Sequence, residues 1–193
     1  MWPWEHLAVA YVAVSLWFRV TGRRVDTAAV LALGAGSQFP DLVDKPLAWS
    51  VGVLPTGTTL AHSVFVAVPV AAGVWWFTRS RGRAGLGLAF GLAYLLHLPG
   101  DLAYGVLTTG GAVPWGIVLW PVVPATTAGP PGGLLGEAAY YLSASLEYLS
   151  DPRAVRYLLL EAALLSTAAG LWVADGYPGV RALCVRALGS VMR

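Results

Sequence analysis

Residues 84–107 read AGLGLAFGLAYLLHLPGDLAYGVL. The stretch is apolar apart from its tyrosines, one imidazole and one carboxylate, which belong to His97 and Asp101. A helix of about 20 mostly apolar residues is long enough to cross a lipid bilayer. Ionisable side chains inside such a helix are costly, and they generally serve a site. The stretch therefore predicts a membrane-spanning helix that carries two candidate site residues.

The composition of the whole chain is typical of a membrane protein. Of its 193 residues, 57% are hydrophobic and only 11% are charged, and the mean hydropathy is +0.66. A soluble domain carries about 25% charged residues, so this composition excludes disordered chains, coiled coils and most soluble enzymes. The sequence has no basic stripe interleaved with aromatic residues, which argues against nucleic acid binding. The single cysteine, Cys184, excludes an internal disulfide.

Further membrane crossings are predicted over 4–20, 25–39, 58–78 and 152–175. We therefore expect an all-α polytopic membrane bundle with about five transmembrane helices plus a re-entrant or interfacial segment. The chain would form a single integral membrane domain. Its parts would be a four-helix core over 1–107, an outward interfacial region over 108–150, and a last helix with a cytoplasmic tail over 151–193.

The interfacial region is rich in Gly and Pro and is too long to be a simple connecting loop. Its residues 114–121, PWGIVLWP, are apolar but too short to span a bilayer. Trp115 and Trp120 would anchor this segment at the lipid–water boundary. We also expect a short amphipathic surface helix over 136–148.

Arginines mark alternate connections between the predicted crossings. They are Arg19, Arg23 and Arg24 after the first crossing, Arg79, Arg81 and Arg83 after the third, and Arg181, Arg186 and Arg193 after the fifth. The positive-inside rule places such connections in the cytoplasm. This predicts a multi-pass protein of the inner or plasma membrane, with the N-terminus outside and the C-terminus in the cytoplasm. Glu5 and the absence of positive charge before the first crossing argue against a cleavable signal peptide.

This topology brings the unexpected polar residues to one membrane face. All three histidines and three of the six aspartates fall at the outward ends of the predicted helices: His6, Asp41, Asp44, His62, His97 and Asp101. Each residue alone has a plainer interpretation, such as a buried His–Asp hydrogen bond or a helix-ending Pro–Asp pair. Their shared placement instead predicts a metal site, and His and Asp without Cys suit Zn²⁺, Mn²⁺ or another divalent first-row ion.

The same motifs resemble the YdjM-type (DUF457) family of membrane-bound metal-dependent hydrolases over roughly residues 1–125. The matching features, in chain order, are His6, a Gly-rich stretch that ends in Pro40-Asp41-Leu42-Val43-Asp44, Ala61-His62-Ser63, His97-Leu98-Pro99-Gly100-Asp101 and Trp120-Pro121. The family often has His-Arg-x-x-Thr-His-Ser at the third motif. This chain departs from that pattern, because Gly57, Thr58 and Ala61 stand at the His, Arg and Thr positions.

The resemblance implies a metal-dependent hydrolase, which would use a metal-activated water, and the predicted topology places its site at the outer membrane face. The expected metal ligands are His6, Asp41, His62, His97 and Asp101. Asp44 would be a general base or outer ligand, and Ser63 a hydrogen-bond donor behind the ligands. The expected substrate is a phosphoester of a membrane lipid or another amphiphile, with Arg153 or Arg156 holding the phosphate.

Two other functions fit the same residues. A metal-ion or proton transporter would use the His and Asp residues as a relay, although they gather at one face and leave the middle of the bilayer without ionisable groups. A non-catalytic membrane protein would use them as a structural metal site.

Overall fold

The computed structural model describes residues 1–125, 133–152 and 154–180, and its regular elements in these ranges are helical. They are α1 (Pro3–Val20), α2 (Thr27–Lys45), a π-helical turn (Pro46–Ser50), α3 (Val64–Ser80), α4 (Ala84–Thr109), α5 (Gly116–Leu119), α6 (Gly133–Leu149) and α7 (Ala154–Ala174). The all-α prediction is confirmed for the described chain. The predicted tail beyond residue 180 lies outside the described residues.

The ends of the long helices follow from local chemistry. Helix α1 begins at Pro3, and the Glu5 carboxylate accepts the backbone N–H of Trp2 at 2.6 Å. The side chain of Asp26 caps α2 by accepting the backbone N–H of Ala29 at 2.8 Å. These side chains occupy backbone donors that a helix start leaves unpaired. Helix α4 is capped at its C-terminal end by Gly110, whose φ of 65° is a left-handed conformation that glycine adopts without strain.

Three internal prolines, Pro40, Pro69 and Pro99, do not end their helices. The sequence predicted that the second helix stops at residue 39, but α2 continues through Pro40 to Lys45. Helix α4 likewise continues through Pro99. A proline removes one backbone hydrogen bond, and packing against neighbouring helices offsets that loss in a membrane bundle. The prediction that α2 ends at residue 39 was therefore wrong, and its continuation places Asp41 on the helix.

Helix α3 begins at Val64, six residues later than the sequence predicted. The carboxylate of Asp44 accepts the backbone N–H groups of Thr59 and Ala61, each at 2.8 Å, and that of His62 at 3.2 Å. These bonds hold the segment before α3 in a turn around the carboxylate. The segment is irregular because its donors point at Asp44 instead of along a helix axis.

Helix α4 is the centre of the bundle and packs against α1, α2 and α3. Buried residues of α1, α2 and α4 form the larger apolar core, and α4 shares a second core with α3 and α5. The backbones of α2 and α4 approach closely at Gly36, where a Cβ would lie 2.2 Å from the carbonyl oxygen of Phe90. Small residues at such crossings allow helices to pack tightly in membranes.

Helix α7 packs against α1 and is fixed there by a polar contact. Asp175, just after α7, accepts hydrogen bonds from Tyr11 at 2.9 Å, Ser15 at 2.7 Å and Arg19 at 2.5 Å, all on α1. This contact ties α7 to the end of α1 that carries Arg19.

Two helices of the described chain are long and apolar enough to cross a bilayer, over Ala84–Thr108 and Ala154–Ala174. Helix α3 is apolar but has only 17 residues. Helices α1 and α2 carry charged residues at or near their ends, which lowers their hydropathy. The five-crossing bundle and its orientation therefore stay predictions.

The interfacial region contains more regular structure than the sequence indicated. The predicted re-entrant or flat segment over 114–121 is the short helix α5, in which Gly116 and Val118 are buried against the rest of the protein. Trp115 beside it is 55% exposed. The helix predicted over 136–148 is confirmed as part of α6.

Candidate metal centre

One end of the bundle gathers the predicted metal ligands from four places in the chain. Helices α1 and α3 begin at this end, and α2 and α4 run towards it. His6 lies in the first turns of α1, Asp41 near the end of α2, and His62 just before α3, while His97 and Asp101 lie in the second half of α4. We call these five residues the His–Asp cluster.

The three imidazoles of the cluster meet in the protein interior. The Nε2 atoms of His62 and His97 lie 3.2 Å apart. The ring of His6 stacks on that of His97, with a centroid distance of 3.6 Å and an interplanar angle of 7°. The exposed fractions of the three residues are 3% or less. Residues separated by up to 91 positions in the sequence thus share one buried space.

Two carboxylates face the same imidazole nitrogens. Asp41 Oδ1 lies 3.5 Å from Nε2 of His62 and 3.9 Å from Nε2 of His97. Asp101 Oδ2 lies 3.4 Å and 3.3 Å from the same two atoms. Two overlapping groups of three residues can each hold a metal ion, since the ligand atoms of each group lie within 4.8 Å of one another. One group is His6, Asp41 and His97, and the other is His62, His97 and Asp101.

The donor atoms fit a divalent cation. Within the described chain, Nε2 of His6 is buried and has no hydrogen-bond partner. It lies 3.1 Å from Asp101 Oδ1, but the geometry of that contact is not that of a hydrogen bond. A buried polar atom without a partner is costly, and a cation would satisfy it. Imidazole nitrogens with carboxylate oxygens are a ligand set suited to zinc and other first-row ions.

Two groups behind the cluster orient its histidines. Asp44 is fully buried, and one of its oxygens lies 2.8 Å from Nδ1 of His62. The backbone carbonyl of Ser37 lies 2.7 Å from Nδ1 of His97. An acceptor at Nδ1 fixes the proton there and turns the Nε2 lone pair towards a metal. Asp44, which the sequence predicts as a general base or outer ligand, lies behind His62, and both of its oxygens face N–H groups.

The cluster has an excess of negative charge that nearby cations balance. The amino group of Met1 lies 2.6 Å from Asp101 Oδ1, and Nζ of Lys45 lies 2.6 Å from Asp41 Oδ2. The imidazole of His62 has three carboxylates beside it, those of Asp41 at 3.5 Å, Asp44 at 2.8 Å and Asp101 at 3.4 Å. The pocket therefore favours positive charge.

The remaining predicted site residues lie elsewhere. The Ser63 hydroxyl donates to the backbone carbonyl of Trp120 at 2.5 Å and caps α3, so it contacts α3 and the α5 region. Arg156 lies in the first turn of α7, beside a separate cavity that Tyr148 and Tyr157 also line. Arg153 lies outside the described residues.

The sequence reasoning missed two contributors to the centre. Lys45 lies four residues after Asp41 on one helix, a spacing that signals an ion pair. Ser37 acts through its backbone carbonyl, which any residue type would supply. No side-chain pattern reports such a contact.

Comparison with known proteins identifies the family of the chain. Neither the curated proteins nor the solved structures contain a significant match. The family model described as YdjM inner membrane protein matches residues 1–175. This match confirms the resemblance drawn from the motifs and extends it through α7. The chain therefore belongs to the YdjM inner membrane protein family.

Proposed function

We propose that this protein is a membrane-embedded, metal-dependent hydrolase. The observation that carries the proposal is the convergence of three buried imidazoles and two carboxylates at one end of the bundle. His6, Asp41, His62, His97 and Asp101 would hold one or two divalent ions, with zinc as the first choice.

A bound ion of this kind acts as a Lewis acid and lowers the pKa of a coordinated water towards about 7. The protein contributes orientation and charge. Asp44 and the carbonyl of Ser37 hold the rings of His62 and His97, so their Nε2 atoms stay aimed at one point. Asp41 and Asp101 bring carboxylate oxygens beside these atoms and are placed to accept a proton. Both are more accessible than Asp44, which is fully buried.

The proposed substrate is a phosphoester of a lipid or another amphiphile. The cluster lies at the end of a bundle with many exposed apolar side chains, so a substrate with an apolar tail would approach through the membrane. The positive-inside placement of the arginines supports an outward-facing site. Hydrolysis there would proceed at the boundary between lipid and water.

Metal content and turnover test this proposal together. The full chain would be purified into nanodiscs, its metals measured by elemental analysis, and its turnover followed by ³¹P NMR with phosphatidylglycerol and phosphatidylethanolamine as probes. We expect about one or two first-row ions per chain and release of a phosphorus-containing product. His62→Ala and Asp101→Asn should lose both properties.

Asp26→Asn is the matched control, because it changes a carboxylate at the start of α2 and keeps a good N-cap. It should retain metal and turnover. Equal metal content in the wild type and the His62→Ala variant would refute the site. Bound metal without turnover would favour a structural site, and metal flux through proteoliposomes would favour a transporter.

A further inference from the structure

An apolar cavity of about 100 Å³ lies between α4 and α7, next to the His–Asp cluster. Its apolar and aromatic walls come from both helices: Ala103, Tyr104, Leu107, Tyr157, Leu160 and Leu164. We call this space the α4–α7 seam. The carboxylates of Glu5 and Glu161 also border it. Glu5 accepts hydrogen bonds from the backbone N–H of Trp2 at 2.6 Å and from the Tyr157 hydroxyl at 2.5 Å, and Glu161 accepts one from Trp4 Nε1 at 2.8 Å. Both acids therefore have hydrogen-bond donors within the protein, and the seam remains suited to an apolar occupant.

Met1 lies between the seam and the cluster. It lines the seam, its amino group is 2.6 Å from Asp101 Oδ1, and its Sδ atom lies over Gly100, where it would be 2.8 Å from an added Cβ. Met1 also leaves part of its surface exposed. A molecule in the seam is thus one residue away from a carboxylate of the cluster.

A second cavity, of about 560 Å³, continues the seam towards the end of the bundle. Leu107 and Tyr157 line both cavities, and the second adds Arg156 and Tyr148. The rings of Tyr148 and Tyr157 meet edge to face with centroids 5.9 Å apart. Tyrosines and an arginine at a helix end are typical of the level of lipid headgroups. The guanidinium there is suited to an anionic group.

Within the described residues, the helices that form the seam are also the two that are long and apolar enough to cross a bilayer. Leu160, in the wall of the seam, is 55% exposed. The seam is therefore open at the side, where a membrane would surround the bundle. An acyl chain can enter there without first leaving the lipid.

We infer that the α4–α7 seam binds the acyl chain of an anionic single-chain amphiphile, with its headgroup at Arg156. The seam lies beside the His–Asp cluster, but its binding of this amphiphile does not depend on catalysis at the cluster. The apolar walls select the chain, and Arg156 selects the charge. The continuity of the two cavities sets the distance between these contacts, and Met1 separates the seam from the His–Asp cluster.

Photolabelling in nanodiscs tests the inference. The probe is a lysophosphatidylglycerol that carries a diazirine in the middle of its chain, and the neutral comparison is a monoacylglycerol with the same chain. We expect labels on residues 103–107 and 157–164. Leu160→Trp fills the seam and should lower labelling by about fivefold or more, as expected when apolar burial worth about 1 kcal/mol is lost.

Leu159→Trp is the matched control, since Leu159 neighbours Leu160 on α7, is 67% exposed and does not line the seam. Its labelling should stay close to that of the wild type. Arg156→Gln should weaken binding of the anionic probe by about tenfold, because it removes a charge-assisted hydrogen bond, and should leave the neutral probe unchanged.

The inference is overturned if Leu159→Trp and Leu160→Trp reduce labelling equally, or if labels spread evenly around the bundle as for annular lipid. The metal content of each variant separates this result from the proposed function. Specific labelling without bound metal would support the seam and refute the hydrolase. Bound metal and turnover with evenly spread labels would support the hydrolase and refute the seam.

Discussion

Nδ1 of His62 lies 2.8 Å from a carboxylate oxygen of Asp44, and both side chains are completely buried. Because Asp44 also accepts backbone N–H groups, it acts as an acceptor and His62 as the donor. One carboxylate therefore fixes both the ring of His62 and the backbone turn that carries it.

Replacing this carboxylate should weaken metal binding without removing a ligand. In Asp44→Asn, an amide group would face backbone donors, and His62 would lose its fixed orientation. We expect metal affinity to fall about 10- to 100-fold, as measured by competition with a chromophoric chelator. Asp26→Asn serves as the control, and an affinity equal to that of the wild type would show that Asp44 does not orient His62.

Because α2 and α4 approach closely, alanine substitutions at two glycines of α2 should differ in their effect on stability. A Cβ at position 36 would lie 2.2 Å from the carbonyl oxygen of Phe90, whereas one at position 34 would meet only Leu7, at 3.9 Å. Gly36→Ala should therefore cost about 1–3 kcal/mol of stability. Gly34→Ala should be neutral or stabilise by up to about 1 kcal/mol.

Thermal unfolding of the two glycine variants in the same detergent measures this difference. Gly36→Ala should also lower metal affinity, because the neighbouring Ser37 holds His97 through its carbonyl. Equal melting temperatures would mean that the two helices can separate at this point at no cost.

Removing the charge of Lys45 should raise metal affinity, whereas the Asp44 and Gly36 substitutions should lower it. Its Nζ is 2.6 Å from Asp41 Oδ2 and competes with a bound cation for the negative charge of Asp41. Lys45→Met should raise metal affinity about fivefold, the equivalent of a charge interaction of about 1 kcal/mol. Isothermal titration with Zn²⁺ measures the change, and Lys45→Arg should leave affinity near that of the wild type. Weaker binding in Lys45→Met would instead make Lys45 a positioning residue for Asp41.

Asp175 provides a prediction for the opposite end of the bundle. Its carboxylate accepts hydrogen bonds from Tyr11, Ser15 and Arg19 and ties α7 to α1. Asp175→Ala should cost about 1–3 kcal/mol of stability and leave the metal content per folded chain unchanged. Thermal unfolding and elemental analysis of the same sample check both parts. Loss of metal from the folded variant would contradict the separation of the two ends.

The sequence was sufficient to predict the membrane class, the helical fold and the residues of the cluster. Apolar length identifies helices through the cost of exposing backbone groups to lipid. The placement of His6, His62 and His97 at ends that antiparallel helices bring together follows from helix order alone. These inferences work because they depend on the energies of single residues in lipid and on the direction of the chain.

Tertiary structure alone decided how these side chains are used. Pro40 stays inside α2 because the bundle offsets its missing hydrogen bond, and this keeps Asp41 on the helix. Asp44 is turned away from the cluster because backbone donors of a distant segment surround it. The contact of the Ser37 carbonyl with His97 could not be predicted from the sequence, because every residue has a backbone carbonyl. Such contacts depend on distances between helices and on the directions of backbone dipoles, which are set only when the helices pack.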